Sequence, residues 1–294
     1  MTKHLRRLTL GVVSLVAIVS LGLSQPIAQQ KSKMPPAPAT LIKRTAKFHE
    51  TRRLGFGGTL TILGAPKGSI KIEGWQRSEV EFSADLEWQA ESEADLNLIA
   101  PVNNFAFDDD GDHIRILTTG THDREFMKRT ARNFPKRLLN LPWKADYNLR
   151  VPASTDVEID AGHGPITLSG VEGALRVNAT ESETSLALTG GTVSVTIAAG
   201  NVNLSIPVRS WRGGGAEVRI AAGVLNVEIP AGFNGDIDAD VLRLGKITND
   251  DDELQTREKP GLTERSIRAR AGSGGASFRF TVGDGVIGIK KIAQ

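Results

Sequence analysis

The 294 residues contain no cysteine. That absence excludes a disulfide framework and any lipid anchor on a cysteine, so stability must come from a packed core. Aromatic residues are few, at 5 %, with one tyrosine and four tryptophans. No sign of charge dominates, since 36 basic and 34 acidic side chains leave +2. The five histidines, His4, His49, His113, His122 and His163, are scattered, with no pair at metal-ligand spacing. There is no Gly-x-Ser-x-Gly nucleophile elbow, no EF-hand loop and no Asn-Gly or Asp-Gly hairpin recurring between repeats.

Only one long apolar run is present, Leu8 to Leu23, and its 16 residues are short for a membrane span of about 20. Lys3, Arg6 and Arg7 precede it, and small residues follow at Gly22, Ser24 and Ala28. Residues 1–24 therefore read as a secretory signal peptide cleaved between 24 and 28; the alternative is an uncleaved N-terminal tether. Removing 1–24 leaves 33 basic against 34 acidic side chains. The basic balance of the whole chain then disappears, and with it any compositional case for nucleic acid. The expected location is the periplasm or the cell surface. Residues 25–47, basic and proline-rich, read as a spacer.

Glycine, by contrast, is abundant and regular. A five-residue unit, Gly-x-Φ-x-Φ with Φ aliphatic, starts at Gly164, Gly173, Gly191, Gly200 and Gly223, with a copy lacking its glycine at Thr184. Earlier copies start at Gly58 and Gly68, and a last one at Gly285. Side chains on a strand alternate faces, so Φ-x-Φ sends two aliphatics to one side and polar residues to the other. A short strand plus a turn accounts for the spacing. One such unit cannot bury its apolar face, whereas stacked units can. The fold class expected is all-β, a single β-solenoid, with an antiparallel β-sandwich as the alternative. One domain is expected over 48–294, with Leu96 to Phe107 as a strand and Asn249 to Leu262 as a charged loop.

The segments GSIKIEGWQRSEVEF, LRVPASTDVEIDAGHGPITLSGVEGALRVNATESETSLALTGG and GDGVIGIKK together resemble the bacterial putative-adhesin family. The resemblance covers roughly residues 50–290. It implies an exported or membrane-attached β-solenoid-like domain of unknown function, without catalytic residues to transfer.

Several acidic sets invite chemistry. Asp108, Asp109, Asp110 and Asp112, and likewise Asp250, Asp251, Asp252 and Glu253, hold the carboxylates a Ca²⁺ site would need. The plain reading, a solvated turn, is expected. Asp156, Glu158 and Asp160, and again Asp236, Asp238 and Asp240, alternate along strands, as paired carboxylates for glycoside hydrolysis could. Nothing marks a pocket that would raise one pKa, so an outward strand face is expected. No catalytic residue, metal or cofactor site, or small-molecule cofactor is expected.

Residues 120–146 interrupt the repeat with a basic insert and one short helix between Asp123 and Asn133. Lys128, Arg129, Arg132, Lys136 and Arg137, with Trp143 as an apolar anchor, form a candidate surface for an anionic glycan or lipid of the envelope. The competing reading is a cap over the end of the stack. Trp211, also in a loop, is a second surface candidate, while Trp75 and Trp88 are expected to cap turns. The functional expectation is a non-catalytic exported cell-envelope protein, an adhesin or scaffold. The alternatives are a carbohydrate-active enzyme on a β-helix and an envelope-stress sensing component.

Overall fold

The structure is a computed structural model that describes residues 41–259 and 261–292. The expected signal peptide and most of the expected spacer lie outside the described residues. The described chain forms one compact unit.

Its strands are β1 (Ile42–Arg53), β2 (Thr59–Lys67), β3 (Ile70–Trp75), β4 (Glu79–Ala90), β5 (Asn104–Asp109), β6 (His113–Thr119), β7 (Trp143–Pro152), β8 (Asp156–His163) and β9 (Ile166–Ser169). There follow β10 (Ala174–Ala187), β11 (Gly190–Ser205), β12 (Arg212–Pro230), β13 (Gly235–Val241), β14 (Gly245–Asn249), β15 (Gln255–Thr256), β16 (Ser266–Ala271) and β17 (Ser277–Ile292). Helix α1 (Glu93–Ile99) lies between β4 and β5, and helix α2 (Arg124–Thr130) between β6 and β7. The chain is all-β, its 17 strands joined in one mixed sheet.

The central ladders are parallel. Ile166 pairs with Thr184 and Thr184 with Val202, an offset of 18 residues each time. The offset is twice the usual spacing of the sequence unit. A unit therefore stacks on the unit two further along, and two units make one coil. Within β10, β11, β12 and β17 the chain runs along one face, bends at a small residue, and continues along a second face. The shorter pairs β2 with β3, β8 with β9, and β13 with β14 trace the same path in two pieces. The octets GSIKIEGW and GPITLSGV, alike in sequence, lie one on the other: Ile70 pairs with Ile166 and Ile72 with Leu168.

The bend explains the glycines. Successive coils place Gly223 on Gly200, Gly285 on Gly223 and Gly245 on Gly285, and a Cβ on each upper glycine would stand 1.7 Å from the carbonyl oxygen below. Their φ values, +150°, +145° and +126°, also disfavour any other residue. The copy without glycine is instructive. Ser182, not Thr184, occupies the glycine position, under Gly200. Thr184 takes an inward aliphatic position, fully buried, and its hydroxyl is satisfied by Ser182 at 2.9 Å.

All ten expected core residues from Ile166 to Leu204 are buried, between 0 and 3 % exposed. Aliphatics fill the middle of the stack and the aromatics close its ends. Phe48, Phe82, Phe105, Phe107 and Tyr147 pack ring to ring at one end. Trp211, Phe233, Phe278 and Phe280 do so toward the other.

The flanks depart from the repeat. β1, β4 and β7 are antiparallel neighbours, as are β5 with β6 and β13 with β16. β1 corrects the expected boundary at 48, since it takes in the last six residues of the expected spacer. Its charges made it resemble a linker, but Lys43 reaches Glu87 at 2.7 Å, Lys47 reaches Asp85 at 3.4 Å and Arg44 pairs with Glu93. A charged edge strand of this kind also discourages further pairing. The expected strand Leu96–Phe107 is instead the end of α1 followed by β5. Ser92 caps α1 by accepting the Asp95 N–H at 3.2 Å, the Ser-x-x-Asp signature of a helix start.

The last strand is not last in space. β17 lies between β12 on one side and β13 with β14 on the other, parallel to all three. Removal of 277–294 should leave two long parallel edges open, giving aggregated protein in a sedimentation assay. Gly223→Ala should cost about 2–4 kcal/mol in urea unfolding, from strained φ and steric overlap. Ser182→Gly should cost about 1–3 kcal/mol by the same measurement, because the buried Thr184 hydroxyl loses its partner.

Candidate functional site

On the corner opposite the glycine bend, the turns after β3, β7, β9, β10 and β11 line up one above another and leave an open cleft of about 950 Å³. Its floor is bare backbone at Gly74, Gly170 and Gly173. These glycines are required by packing: a Cβ on Gly74 would stand 1.9 Å from the Gly170 carbonyl oxygen. From the coil of β2 to that of β12 the cleft crosses four strand spacings, roughly 19 Å.

Two aromatic side chains, Phe56 and Trp75, and two arginines, Arg77 and Arg212, line it. Phe56 stands at the tip of the loop Leu54-Gly-Phe-Gly-Gly before β2 and is 95 % exposed. Trp75 is half-buried, held by its Nε1–H donating to the Glu79 carbonyl at 2.8 Å. The Arg77 guanidinium lies 4.9 Å from the centre of the Trp75 ring and that of Arg150 5.9 Å. Arg150 is engaged further with Glu81 at 3.5 Å and Glu73 at 4.0 Å. At the far end Glu172 accepts from Arg212 at 2.5 Å and from Thr189 Oγ1 at 2.6 Å. A second hollow of about 590 Å³ continues from Arg77 and Ser78 to Arg53 and Glu79.

None of this was legible as a site in the repeat. The available signal was Phe56 itself, a large apolar residue between glycines where the chain must turn. Trp75, expected to cap a turn, does so, and at the same time forms one wall of the cleft.

Most of the basic insert residues proposed from sequence have partners within the chain. Lys128 pairs with Glu125 at 2.6 Å. Arg137 makes a two-pronged contact with Asp95 of α1, at 2.5 and 2.9 Å. Arg129 and Arg132 donate to carbonyls of their own segment, and Lys136 is exposed. Trp143 is a correction: it opens β7, is 8 % exposed and packs beside His122, so it has no free face to anchor anything. Trp211 is likewise buried, donating to the Gly191 carbonyl at 2.9 Å. Leu138 is buried in the core, and Phe134 and Leu141 pack against it. The insert thus covers core beside α1, as a cap does.

The acidic sets are engaged by the chain itself. Asp236 pairs with Arg270 at 2.8 Å, Asp238 with Arg257 at 2.6 Å and Asp240 with Arg268 at 2.9 Å, a ladder of Asp on β13 against Arg around β16. Asp156 accepts the Ala174 N–H at 2.7 Å, Glu158 faces Arg176 at 3.8 Å, and Asp160 is exposed. In the turn Asp108 to Asp112, Arg115 reaches Asp108 and Asp110. The Lys291 ammonium sits among Asp251, Asp252 and Glu253, at 3.5, 2.8 and 3.1 Å, where a cation would otherwise be needed. No group of His, Asp and Glu among the described residues is arranged to hold a metal ion. His163 is exposed at the end of β8, 3.8 Å from Glu181.

No family model matches the chain, and no curated protein matches it. Three solved structures are similar. One is a putative cell adhesion protein from Clostridium sporogenes, 13 % identical, with 84 % of this chain and 100 % of that one covered and a TM-score of 0.45. Another is a putative adhesin from Bacteroides fragilis, 10 % identical, with 84 % and 97 % covered and a TM-score of 0.35. The third is a putative adhesin from Parabacteroides distasonis, 8 % identical, with 83 % and 97 % covered and a TM-score of 0.22. Likeness of this degree carries no inference about ligand or activity.

The charge ladder yields a pH test. The hydrogen bond from Arg270, with the charges of Arg270 and Arg257, outweighs partial burial and holds the Asp236 carboxyl below its ordinary value of 3.8. A depressed carboxylate pKa stabilises the fold above the unfolded value, and that contribution is lost as pH falls through the folded one. Asp236→Asn should therefore be less stable than the parent at pH 7. In urea unfolding the gap should close as pH falls from about 4 to 2.

Proposed function

We propose that the protein is a non-catalytic, exported binding module of the cell envelope, and that its ligand lies along the cleft beside Phe56 and Trp75. The observation that carries this reading is Phe56. A phenylalanine left 95 % exposed on a glycine-flanked loop does nothing for the core, yet it overlooks an open cleft of about 950 Å³. The cleft is long, shallow and built on stacked turns, which suits an extended polymer better than a compact substrate. Aromatic faces bury the apolar faces of sugar rings, while arginine and backbone groups beside them meet hydroxyls.

The non-catalytic reading is supported by the fate of the carboxylates. A glycosidase needs one acid whose environment raises its pKa, set opposite a second. Here Asp236, Asp238 and Asp240 are each tied to an arginine, and Glu172 in the cleft to Arg212 and Thr189. Export is supported by the N-terminal pattern Lys3, Arg6, Arg7 and the apolar run to Leu23.

Phe56→Ala tests the cleft cleanly because the side chain packs against nothing. Retention on isolated bacterial cell-wall material should fall about tenfold, with an unchanged melting temperature. Replacing Arg129, Arg132 and Lys136 by glutamine should leave retention as it was. The reverse pattern would move the binding surface to the insert.

A further inference from the structure

Most arginines of the described chain are spent on carboxylates, among them Arg44, Arg52, Arg115, Arg137, Arg243 and Arg268. Arg53 and Arg77 are among those that are not, and of that group they alone line the cleft or its continuation. Both are exposed, neither makes an ion pair or a side-chain hydrogen bond among the described residues, and both line the hollow that continues the Phe56 cleft. Arg77 also lines the cleft itself.

The two are placed differently from ordinary surface arginines. Arg77 lies against the Trp75 ring, whose indole is fixed by its bond to the Glu79 carbonyl. Contact through the flat face of a guanidinium restricts its orientation but uses none of its N–H donors. The planar fork remains free for two-pronged contact with a carboxylate or a phosphate, at reduced entropic cost. Arg53 precedes the Leu54-Gly-Phe56 loop in the chain and lines the hollow together with Arg77. The carboxylates nearby are Glu172, already held by Arg212 and Thr189, Glu73 and Glu81, which face Arg150, and Glu79, which shares the hollow with both arginines and lies opposite Arg53 in the β1–β4 pair. Glu79 leaves the pair of guanidiniums with a net positive charge.

From this arrangement we infer that the cleft takes an anionic glycan, one that carries carboxylate or phosphate groups along its chain. Phe56 covers an apolar sugar face, and Arg77 and Arg53 hold the charged substituents. The inference rests on the cleft being the ligand site, and it adds the chemical class of the ligand.

The test uses the purified protein with three polymers: polygalacturonate, its fully methyl-esterified form, and poly(glycerol phosphate). Binding is measured at low salt and again at 0.5 M salt, roughly three times physiological ionic strength. One or both anionic polymers should bind, and the neutral ester at least tenfold more weakly. Arg53→Gln and Arg77→Gln should each weaken binding about tenfold with no change in melting temperature, and Arg77→Lys should recover only part of the loss. Preference for carboxylate or for phosphate is read from the two anionic arms. Equal binding of the ester and the acid, weakened by Phe56→Ala, would overturn the anionic assignment and leave the cleft standing. Binding untouched by Phe56→Ala and both arginine changes would overturn the cleft as well. Binding to vesicles of phosphatidylglycerol, with none to any polymer, would replace the glycan by a membrane surface.

Discussion

Coils of this protein approach one another at their corners as closely as backbone can approach backbone. Where Gly223 lies on Gly200 and Gly285 on Gly223, the space that a Cβ would need is already taken by a carbonyl oxygen. Everything else in the central stack depends on that contact. It lets the chain bend between two faces within a residue or two, so one continuous strand can serve both. It keeps the parallel ladders in register through the bend, and the register keeps every Φ of the repeat on the inside. Ser182 shows how little latitude there is, since it is small and its hydroxyl is bound by the neighbouring Thr184.

The same requirement on the opposite corner shapes the surface. Gly74, Gly170 and Gly173 pack backbone against backbone and leave no side chain on the floor of the cleft. Walls then come from whatever the turns carry above that floor. A long turn before β2 supplies Phe56, and the turn after β3 supplies Trp75 and Arg77. The cleft is thus a by-product of stacking that particular turn residues have furnished, which is why its chemistry varies along its length while its floor does not.

Ends are the cost of a stack, because the outermost coil has apolar area and strand edge with nothing above it. Aromatic clusters fill both ends where the aliphatic repeat stops. At the N-terminal end α1 and the 120–146 insert lie over the core, joined by Arg137 and Asp95. At the other end the Asp and Arg ladder of β13, β16 and Arg257 occupies the outer face. Many of the charged residues that draw attention in the sequence are thereby used in holding the edges, and two of the arginines without a carboxylate partner stand beside the cleft.

The repeat by itself determined the strand alternation, the identity of the inward residues from Ile166 to Leu204, the glycine corners and the place of the insert. These follow from local rules: side chains alternate on a strand, and a tight bend needs a residue without a side chain. What only the tertiary structure decided is which edge meets which. A unit matches its neighbour in the sequence as well as it matches the unit two along, and only closure of a coil selects the second. The charged β1 differs from a linker only in having β4 beside it, and α1 was overlooked because Ser92 and Asp95 signal a helix too short for periodicity to show. Trp143 and Trp211 sit in segments that read as loops, yet both pack inward, because an indole is buried wherever a neighbour can accept its N–H or cover its face. Phe56 has no such neighbour, and that difference, invisible along the chain, is what makes it the candidate contact for a ligand.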